Sequence, residues 1–204
     1  KHAPSAIVKK SRFYGNFTLG RGGAIRSDSD LTLDDCTFGN NESSRGGAVD
    51  LYYEPNQTGP RQTLVMNITG CTFSGNSAYL TGGGLFVRNG QITANDSSFI
   101  DNTARSGGGF YLTEGQMKVD RSFFMHNVAT GIERGHQTVT GEGQGGAVAC
   151  MNAKAQIRNT RFIENKAKGG TGEGGAVNFT NLLPHTIEKT YTIKNCLFER
   201  NLAQ

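Results

Sequence analysis

Phenylalanine followed three residues later by asparagine recurs along the whole chain. The seven copies are Phe13/Asn16, Phe38/Asn41, Phe73/Asn76, Phe99/Asn102, Phe124/Asn127, Phe162/Asn165 and Phe198/Asn201. The shortest separations between successive phenylalanines are 25 and 26 residues, in the range of short solenoid repeats. A unit of this length can bury its apolar side only against neighbouring units. The pattern therefore predicts a stack of coils.

A glycine pair, then a small residue, then an apolar residue lie between successive FxxN motifs. The copies are Gly22-Gly23-Ala24-Ile25, Gly46-Gly47-Ala48-Val49, Gly82-Gly83-Gly84-Leu85, Gly107-Gly108-Gly109-Phe110, Gly145-Gly146-Ala147-Val148 and Gly174-Gly175-Ala176-Val177. Glycine suits a position that needs a positive φ or a close approach of two backbones. We interpret each pair as a corner of a coil.

Alternation of apolar and polar residues predicts strands on both sides of these motifs. After the corner, the inward columns are Ile25, Val49, Leu85, Phe110, Val148, Val177 and then Leu51, Val87, Leu112, Cys150, Phe179. Before the phenylalanines, the inward pairs are Ala6/Val8, Leu31/Leu33, Met66/Ile68, Ile92/Ala94, Met117/Val119, Ala155/Ile157 and Tyr191/Ile193. The same alternation directs Arg26, Asp50 and Asn178 towards solvent.

Three short strands per turn predict an all-β fold, a right-handed parallel β-helix of about seven coils with pectin-lyase-like architecture. Residues 1–204 are predicted to be one solenoid segment of a longer protein. Insertions at 53–62, 131–144 and 181–190 are either solvated decoration or partner-binding loops.

The asparagines of the motif are expected to stack as a structural ladder. Asparagine tolerates the left-handed conformation at a tight turn, and stacked amides hydrogen-bond along the axis. The predicted ladder residues are Asn16, Asn41, Asn76, Asn102, Asn127, Asn165 and Asn201. Their role is architectural, so none of them is predicted to be a binding site.

Charge and hydropathy exclude two classes of partner. The net charge is +4 with acids and bases interspersed, so no basic groove indicates nucleic acid. No stretch approaches the roughly 20 apolar residues of a membrane span, so this segment is not expected to insert into a membrane. No cofactor is predicted.

One outward face is less polar than a solvated surface. Tyr52, Phe86, Tyr111 and Met151 are predicted to form an exposed patch that contacts a partner. The alternative is that an insertion folds over them.

A second column combines histidine with carboxylates. Asp101, His126, Glu164 and Arg200 occupy the same position on successive coils, about 5 Å apart. They resemble a metal or proton-transfer site, but no nucleophile or further ligand joins them. We interpret them as alternating charges at a solvated corner, and Asp34-Asp35 beside Lys9-Lys10 in the same way. No catalytic and no metal-binding residue is predicted.

Sequons and cysteines leave the cellular compartment open. Asn56, Asn67 and Asn178 are candidate glycosylation sites, whereas the sequons at Asn16 and Asn41 fall in the asparagine ladder. Cys36 and Cys71 share an inward column at a separation that permits a disulfide bond. Cys150 and Cys196 are interpreted as buried free thiols.

With GGA-apolar and FxxN motifs alternating along the chain, the sequence resembles the passenger repeats of the chlamydial polymorphic membrane proteins. The resemblance rests on the six glycine motifs and seven FxxN motifs above; two glycine motifs depart from it by reading GGG. It implies a β-helical autotransporter passenger displayed on the cell surface, at the outer membrane if the source is bacterial.

These features together predict a non-enzymatic extracellular β-helix, an adhesin passenger or display scaffold. Its expected partner is a protein or glycan on a host or neighbouring cell, or further copies of itself. One alternative is a subunit of an extracellular filament or cell-wall appendage. The other is a carbohydrate-active lyase or hydrolase, which would need clustered carboxylates.

Overall fold

A computed structural model describes residues 5–52, 63–131, 143–169, 172–182 and 190–204. These residues contain 26 strands and no helix, and the strands pair in parallel to form four sheets. The prediction of a parallel β-helix is confirmed. The predicted insertion 53–62 and most of 131–144 and 181–190 lie outside the described residues.

The prediction of three strands per coil is wrong, because each complete coil has four. Sheet 1 leads into the phenylalanine motif and has the order β1-β4-β8-β12-β16-β20-β24. Its strands are β1 Ser5–Lys9, β4 Asp30–Asp34, β8 Leu64–Thr69, β12 Gly90–Asn95, β16 Gln116–Asp120, β20 Lys154–Arg158 and β24 Tyr191–Lys194. Sheet 2 carries the phenylalanines, in β2 Arg12–Tyr14, β5 Thr37–Gly39, β9 Thr72–Ser74, β13 Ser98–Ile100, β17 Phe123–Met125, β21 Arg161–Ile163 and β25 Leu197–Glu199.

Sheet 3 is the one that alternation did not predict. It consists of β6 Glu42–Arg45, β10 Ser77–Thr81, β14 Thr103–Ala104, β18 Val128–Ala129, β22 Lys166–Ala167 and β26 Leu202–Ala203. Sheet 4 follows the glycine corner, in β3 Ile25–Ser27, β7 Val49–Tyr52, β11 Leu85–Arg88, β15 Phe110–Thr113, β19 Val148–Met151 and β23 Val177–Thr180.

The strand register confirms the predicted inward columns. Ala6 pairs with Leu31 and Val8 with Leu33 in sheet 1, and Leu85 lies between Val49 and Phe110 in sheet 4. The phenylalanines of sheet 2 stack with parallel rings, with centroids 4.7–5.0 Å apart and interplanar angles of 2–13°. These columns form one continuous hydrophobic core along the axis.

The asparagine ladder forms with every amide in the same orientation. The Asn76 Nδ2 group donates to Asn102 Oδ1 at 2.9 Å and to the Phe38 carbonyl of the preceding coil at 3.0 Å. The backbone N–H of Asn76 also donates to Asn102 Oδ1, at 3.0 Å. The buried amide is therefore fully hydrogen-bonded, as a buried polar group must be.

The ladder continues in the same way to the last coil. Asn102 Nδ2 donates to Asn127 Oδ1 at 3.0 Å, and Asn127 Nδ2 donates to Asn165 Oδ1 at 2.9 Å. Asn165 Nδ2 donates in turn to Asn201 Oδ1 at 2.9 Å. Asn127 and Asn165 are fully buried, whereas Asn201 is half-buried at the end of the ladder. All seven predicted ladder positions therefore join one axial chain of hydrogen bonds.

The expected left-handed conformation of the ladder asparagines is wrong. The positive φ belongs to the residue immediately before each of them, for example Asn40 at 54° and His126 at 55°. The same holds before the last two positions, where Glu164 and Arg200 have φ values of 53° and 52°. The preceding residue makes the turn, and the asparagine directs its amide into the ladder. The residues for which this expectation is corrected are Asn16, Asn41, Asn76, Asn102, Asn127, Asn165 and Asn201.

The glycine pairs make a second kind of turn, for two different reasons. Gly82 has a φ of 68°, which other residues adopt only with strain. At Gly83, an added Cβ would lie 2.2 Å from the carbonyl oxygen of Gly108 on the next coil. The first glycine therefore serves the conformation, and the second permits the close approach of coils.

Small hydroxyl and thiol side chains form another axial ladder. Ser97 Oγ donates to the carbonyl of Asn95 at 2.7 Å and accepts from the backbone N–H of Cys71 at 3.1 Å. Cys71 Sγ occupies the same position one coil earlier and accepts from the Cys36 N–H at 3.4 Å. Serine, threonine and cysteine can alternate in this column because each combines a donor and an acceptor at similar volume.

Candidate functional site

The glycine corner brings together the outward side chains on its two sides. The column before the pair is Arg21, Arg45, Thr81, Ser106, Gln144 and Glu173, and the column after it is Arg26, Asp50, Phe86, Tyr111, Ala149 and Asn178. Contacts cross the corner in several coils. The Arg45 guanidinium lies 5.9 Å from the Phe86 ring centroid, and Asn178 Nδ2 donates to Glu173 Oε2 at 3.1 Å. We call these two columns the corner face.

The four residues predicted as an interaction patch lie on or beside this face but are less open than expected. Phe86 and Tyr111 stack at 5.8 Å, and Tyr111 donates its hydroxyl to Met151 Sδ at 3.7 Å. Only 4% of Phe86 and 7% of Tyr111 is exposed, while Tyr52 and Met151 are half-buried. The predicted exposure of Phe86 and Tyr111 is therefore wrong. They form a small satellite core with Ala149, and burial raises the pKa of Tyr111 to about 12.

Arginine and aromatic side chains alternate along the first four coils of this region. Tyr52 is contacted by two guanidiniums, Arg21 at 4.4 Å and Arg88 at 5.5 Å from its ring centroid. Arg105 lies 4.1 Å from the ring centroid of Tyr79, which is 66% exposed. Such cation–π pairs hold the arginines in defined positions on the surface.

Asp50 interacts electrostatically with Arg21, Arg26 and Arg45, and its burial is the largest departure from the sequence expectation. Alternation directed it towards solvent, yet it is fully buried, and neither carboxylate oxygen has a hydrogen-bond partner. The buried Thr81 hydroxyl is also unpaired. Burial raises the pKa of Asp50 from 3.8 to about 6, and the opposing attraction of Arg21, Arg26 and Arg45 does not cancel this effect.

One stretch of the chain, which includes two residues of the corner face, is similar to a known protein family. Residues 70–88 match the model of the Chlamydia polymorphic membrane protein repeat. This stretch resembles a polymorphic membrane protein (Pmp) repeat. No curated protein matches the chain.

The Pmp-like stretch at 70–88 contains one copy of each sequence motif. It spans Phe73 and Asn76 of the ladder columns, the Gly82-Gly83 corner, and strand β11 with Phe86 and Arg88. Thr81 and Phe86 of the corner face therefore belong to the matched stretch. The repeat confirms the resemblance that the glycine and FxxN motifs indicated.

The column of alternating charge has the predicted geometry. His126 Nδ1 lies 3.4 Å from Asp101 Oδ1, and its Nε2 lies 2.9 Å from Glu164 Oε2. Arg200 Nε lies 2.8 Å from Glu164 Oε1, and Lys9 Nζ lies 3.5 Å from Asp34 at another corner. The carboxylates of the first column are engaged by histidine and arginine. Among the residues that the structure describes, no three His, Cys, Asp or Glu side chains are placed to hold a metal ion.

The glycosylation candidates differ in accessibility. Asn67 is exposed on sheet 1. Asn178 is half-buried, and the Thr180 hydroxyl donates to its Oδ1 at 2.5 Å. Asn41 is buried in the ladder, Asn16 lies at its exposed first position, and Asn56 lies outside the described residues.

All four cysteines are free thiols. Cys36, Cys71 and Cys150 are buried, and burial raises the pKa of Cys71 to about 11 and of Cys150 to about 12. Cys196 is half-buried, and its Sγ lies 3.3 Å from the Lys194 carbonyl oxygen. Among the described residues, no helix is long and apolar enough to cross a membrane.

Proposed function

We infer that this chain is a passenger-type β-helix displayed on the surface of a cell, where it acts as an adhesin. The observation that carries the proposal is the Pmp repeat at residues 70–88, embedded in coils that all carry the same FxxN motif. The resemblance to this repeat implies a passenger that is displayed on the outer surface of the cell. The proposed location is accordingly the outer membrane surface of a bacterium.

The division of each coil into two kinds of position supports a display role. Inward positions repeat a few residue types, because phenylalanine and asparagine stack on copies of themselves and the small-residue column holds only serine, threonine or cysteine. Outward positions vary from coil to coil, and several carry large apolar groups in the open, namely Phe17, Leu19 and Tyr79. Aromatic and arginine side chains of this kind are enriched in protein recognition surfaces.

The proposed activity is binding and not catalysis. Asp101, Glu164 and Asp34 are each within ion-pair distance of a basic side chain. A lyase or glycosidase would instead place free carboxylates around a substrate cleft.

Two measurements test the proposal. Antibodies raised against the folded chain should label intact source cells, and externally added protease should remove that label. Beads coated with the chain should attach to cultured animal cells, and soluble folded chain should block them. Beads coated with the heat-unfolded chain are the control, because they carry the same composition without the outer face.

Attachment that survives unfolding, or labelling only after the cells are broken, would contradict the proposal. Release of reducing sugars from polysaccharides would indicate the carbohydrate-active alternative. Sedimentation of the pure chain as long polymers, without attachment to cells, would indicate the filament.

A further inference from the structure

The arginines around Asp50 differ from others of the chain in how they are paired. Arg88, Arg121 and Arg200 each lie within ion-pair distance of a carboxylate. Arg26 instead pairs with Asp50 in the register of sheet 4, Arg45 precedes the glycine pair of the same coil, and Arg21 pairs with Arg45 from the coil before. No hydrogen bond reaches either oxygen of Asp50. These three arginines therefore carry three positive charges against one buried negative charge, and Asp50 does not occupy their donors.

Asp50 accounts for the close assembly of these charges. Three guanidiniums in one corner repel one another, and a buried carboxylate beneath them offsets part of that repulsion. Because the carboxylate makes no hydrogen bond, it does not consume the guanidinium donors. Cation–π contacts hold Arg21 against Tyr52 and Arg45 near Phe86. The cluster is thus arranged for an oxyanion that comes from outside.

The positive charge continues along the rod. Arg21 and Arg26 lie on the first coil, Arg45 on the second, Arg88 on the third and Arg105 on the fourth. Successive coils are separated by the parallel strand spacing of about 4.8 Å. Each of these four coils therefore contributes at least one arginine in or beside the corner columns, which matches a linear polymer with regularly spaced negative groups better than an isolated carboxylate.

We propose that this arginine stripe binds an anionic polysaccharide through its sulfate or carboxylate groups, with Arg21, Arg26 and Arg45 as its centre and with Arg105 and the Glu114-paired Arg88 extending it. The proposal rests on the adhesin function above and names the ligand class of that surface. Single-stranded nucleic acid fits less well. Stacking of bases needs open aromatic faces, whereas Tyr52 is covered by two guanidiniums and Phe86 is buried.

The test compares two triple variants with equal loss of charge. Arg21→Gln/Arg26→Gln/Arg45→Gln removes the cluster, and Lys118→Gln/Lys154→Gln/Arg158→Gln removes three exposed charges from sheet 1. Circular dichroism melting checks that both variants fold. Binding is measured by fluorescence anisotropy at about 0.15 M salt with labelled dextran sulfate, an oligouronate, neutral dextran, oligothymidine and polyglutamate.

The wild type should bind dextran sulfate or the oligouronate, and the stronger of the two identifies the anionic group. The cluster variant should raise that Kd by at least about tenfold, the effect of losing one charge-assisted hydrogen bond, and the sheet 1 variant by less than about twofold. Equal weakening in both variants, no binding to either anionic saccharide, or tighter binding of oligothymidine or polyglutamate would overturn the proposal.

Bead attachment to cells, measured with the same variants, separates this proposal from the adhesin function. Attachment that persists in the cluster variant would leave the adhesin function standing and refute the stripe as its ligand site. Loss of saccharide binding in that variant, without attachment of the wild type to any cell, would support the stripe and refute the adhesin function.

Discussion

Replacing Asp50 with asparagine should remove a pH dependence from the stability of the fold. Burial raises the pKa of this carboxyl from 3.8 to about 6. The folded protein therefore holds the proton more tightly than the unfolded chain, so folding is favoured while Asp50 is protonated. This contribution is present below about pH 4, is lost as the pH rises to about 6, and stays lost above it. At 1.36 kcal/mol per pH unit, the loss is about 3 kcal/mol.

The measurement is urea unfolding of wild type and Asp50→Asn at several values between pH 4 and 7, followed by circular dichroism. At pH 7 the variant gains from removing a buried charge, but its amide has buried N–H donors that cost about 1–3 kcal/mol if unpaired. The change in unfolding free energy between pH 4 and 7 is therefore the decisive quantity. The unfolding free energy should fall about 2 kcal/mol further in wild type than in the variant, less than the full loss because the unfolded carboxyl is already partly ionised at pH 4.

Asp28→Asn is the matched control, because it removes one exposed carboxylate from the preceding coil. Both single variants lose the same charge, so only burial distinguishes them. Parallel curves of stability against pH for wild type and Asp50→Asn would refute the reasoning. They would mean that Asp50 titrates in the folded protein as it does in the unfolded chain.

Further substitutions test the ladders by urea unfolding at pH 7. Asn102→Ala should cost about 3 kcal/mol, because it strands the buried amide of Asn76 and the Phe73 carbonyl, whereas Asn16→Ala at the exposed first position should cost less. Gly83→Ala should cost about 1–3 kcal/mol through its clash with Gly108, and an unchanged midpoint would contradict the close approach of coils. Phe99→Ala should cost about 3–5 kcal/mol and exposed Phe17→Ala less than about 0.5; equal effects would argue against the stacked column. His126→Ala should leave both cell attachment and metal content unchanged, and metal bound by wild type but not by the variant would show that its carboxylate neighbours form a metal site.

The columns that repeat one residue type in every coil could be predicted from the sequence. Phenylalanine and asparagine each stack on copies of themselves, so the spacing alone places them, and the registers of sheets 1 and 4 follow from period-two alternation. Sheet 3 was missed because strands such as Thr103–Ala104 are too short to alternate. A signal was present nonetheless. The second residue after each ladder asparagine is small and buried in coils two to six, at Ser43, Ala78, Ala104, Ala129 and Ala167.

The corner face could be predicted only in part. The sequence places Phe86 and Tyr111 in one outward column, which the register confirms. Alternation carries no information on whether an outward residue is covered. At a sharp corner the side chains before and after the glycine pair face each other and cover one another. Asp50 and Phe86 are therefore buried although both point away from the core of the coil. The charges that surround Asp50 come from positions 29, 24 and 5 residues away in sequence, and no local pattern links them.

The asparagine ladder has a consequence for how such a protein can diversify. Successive ladder asparagines are separated by 25, 35, 26, 25, 38 and 36 residues, yet each pair makes the same amide contact. The ladder contact is therefore the same for each pair of neighbouring coils, whatever the number of residues between the two asparagines. The segment between two ladder asparagines can be lengthened or replaced without shifting the register of any later coil, because the next asparagine makes the same amide contact. The outward segments can therefore vary while the stacked coils stay the same. Foreign peptides could be grafted between ladder positions for the same reason.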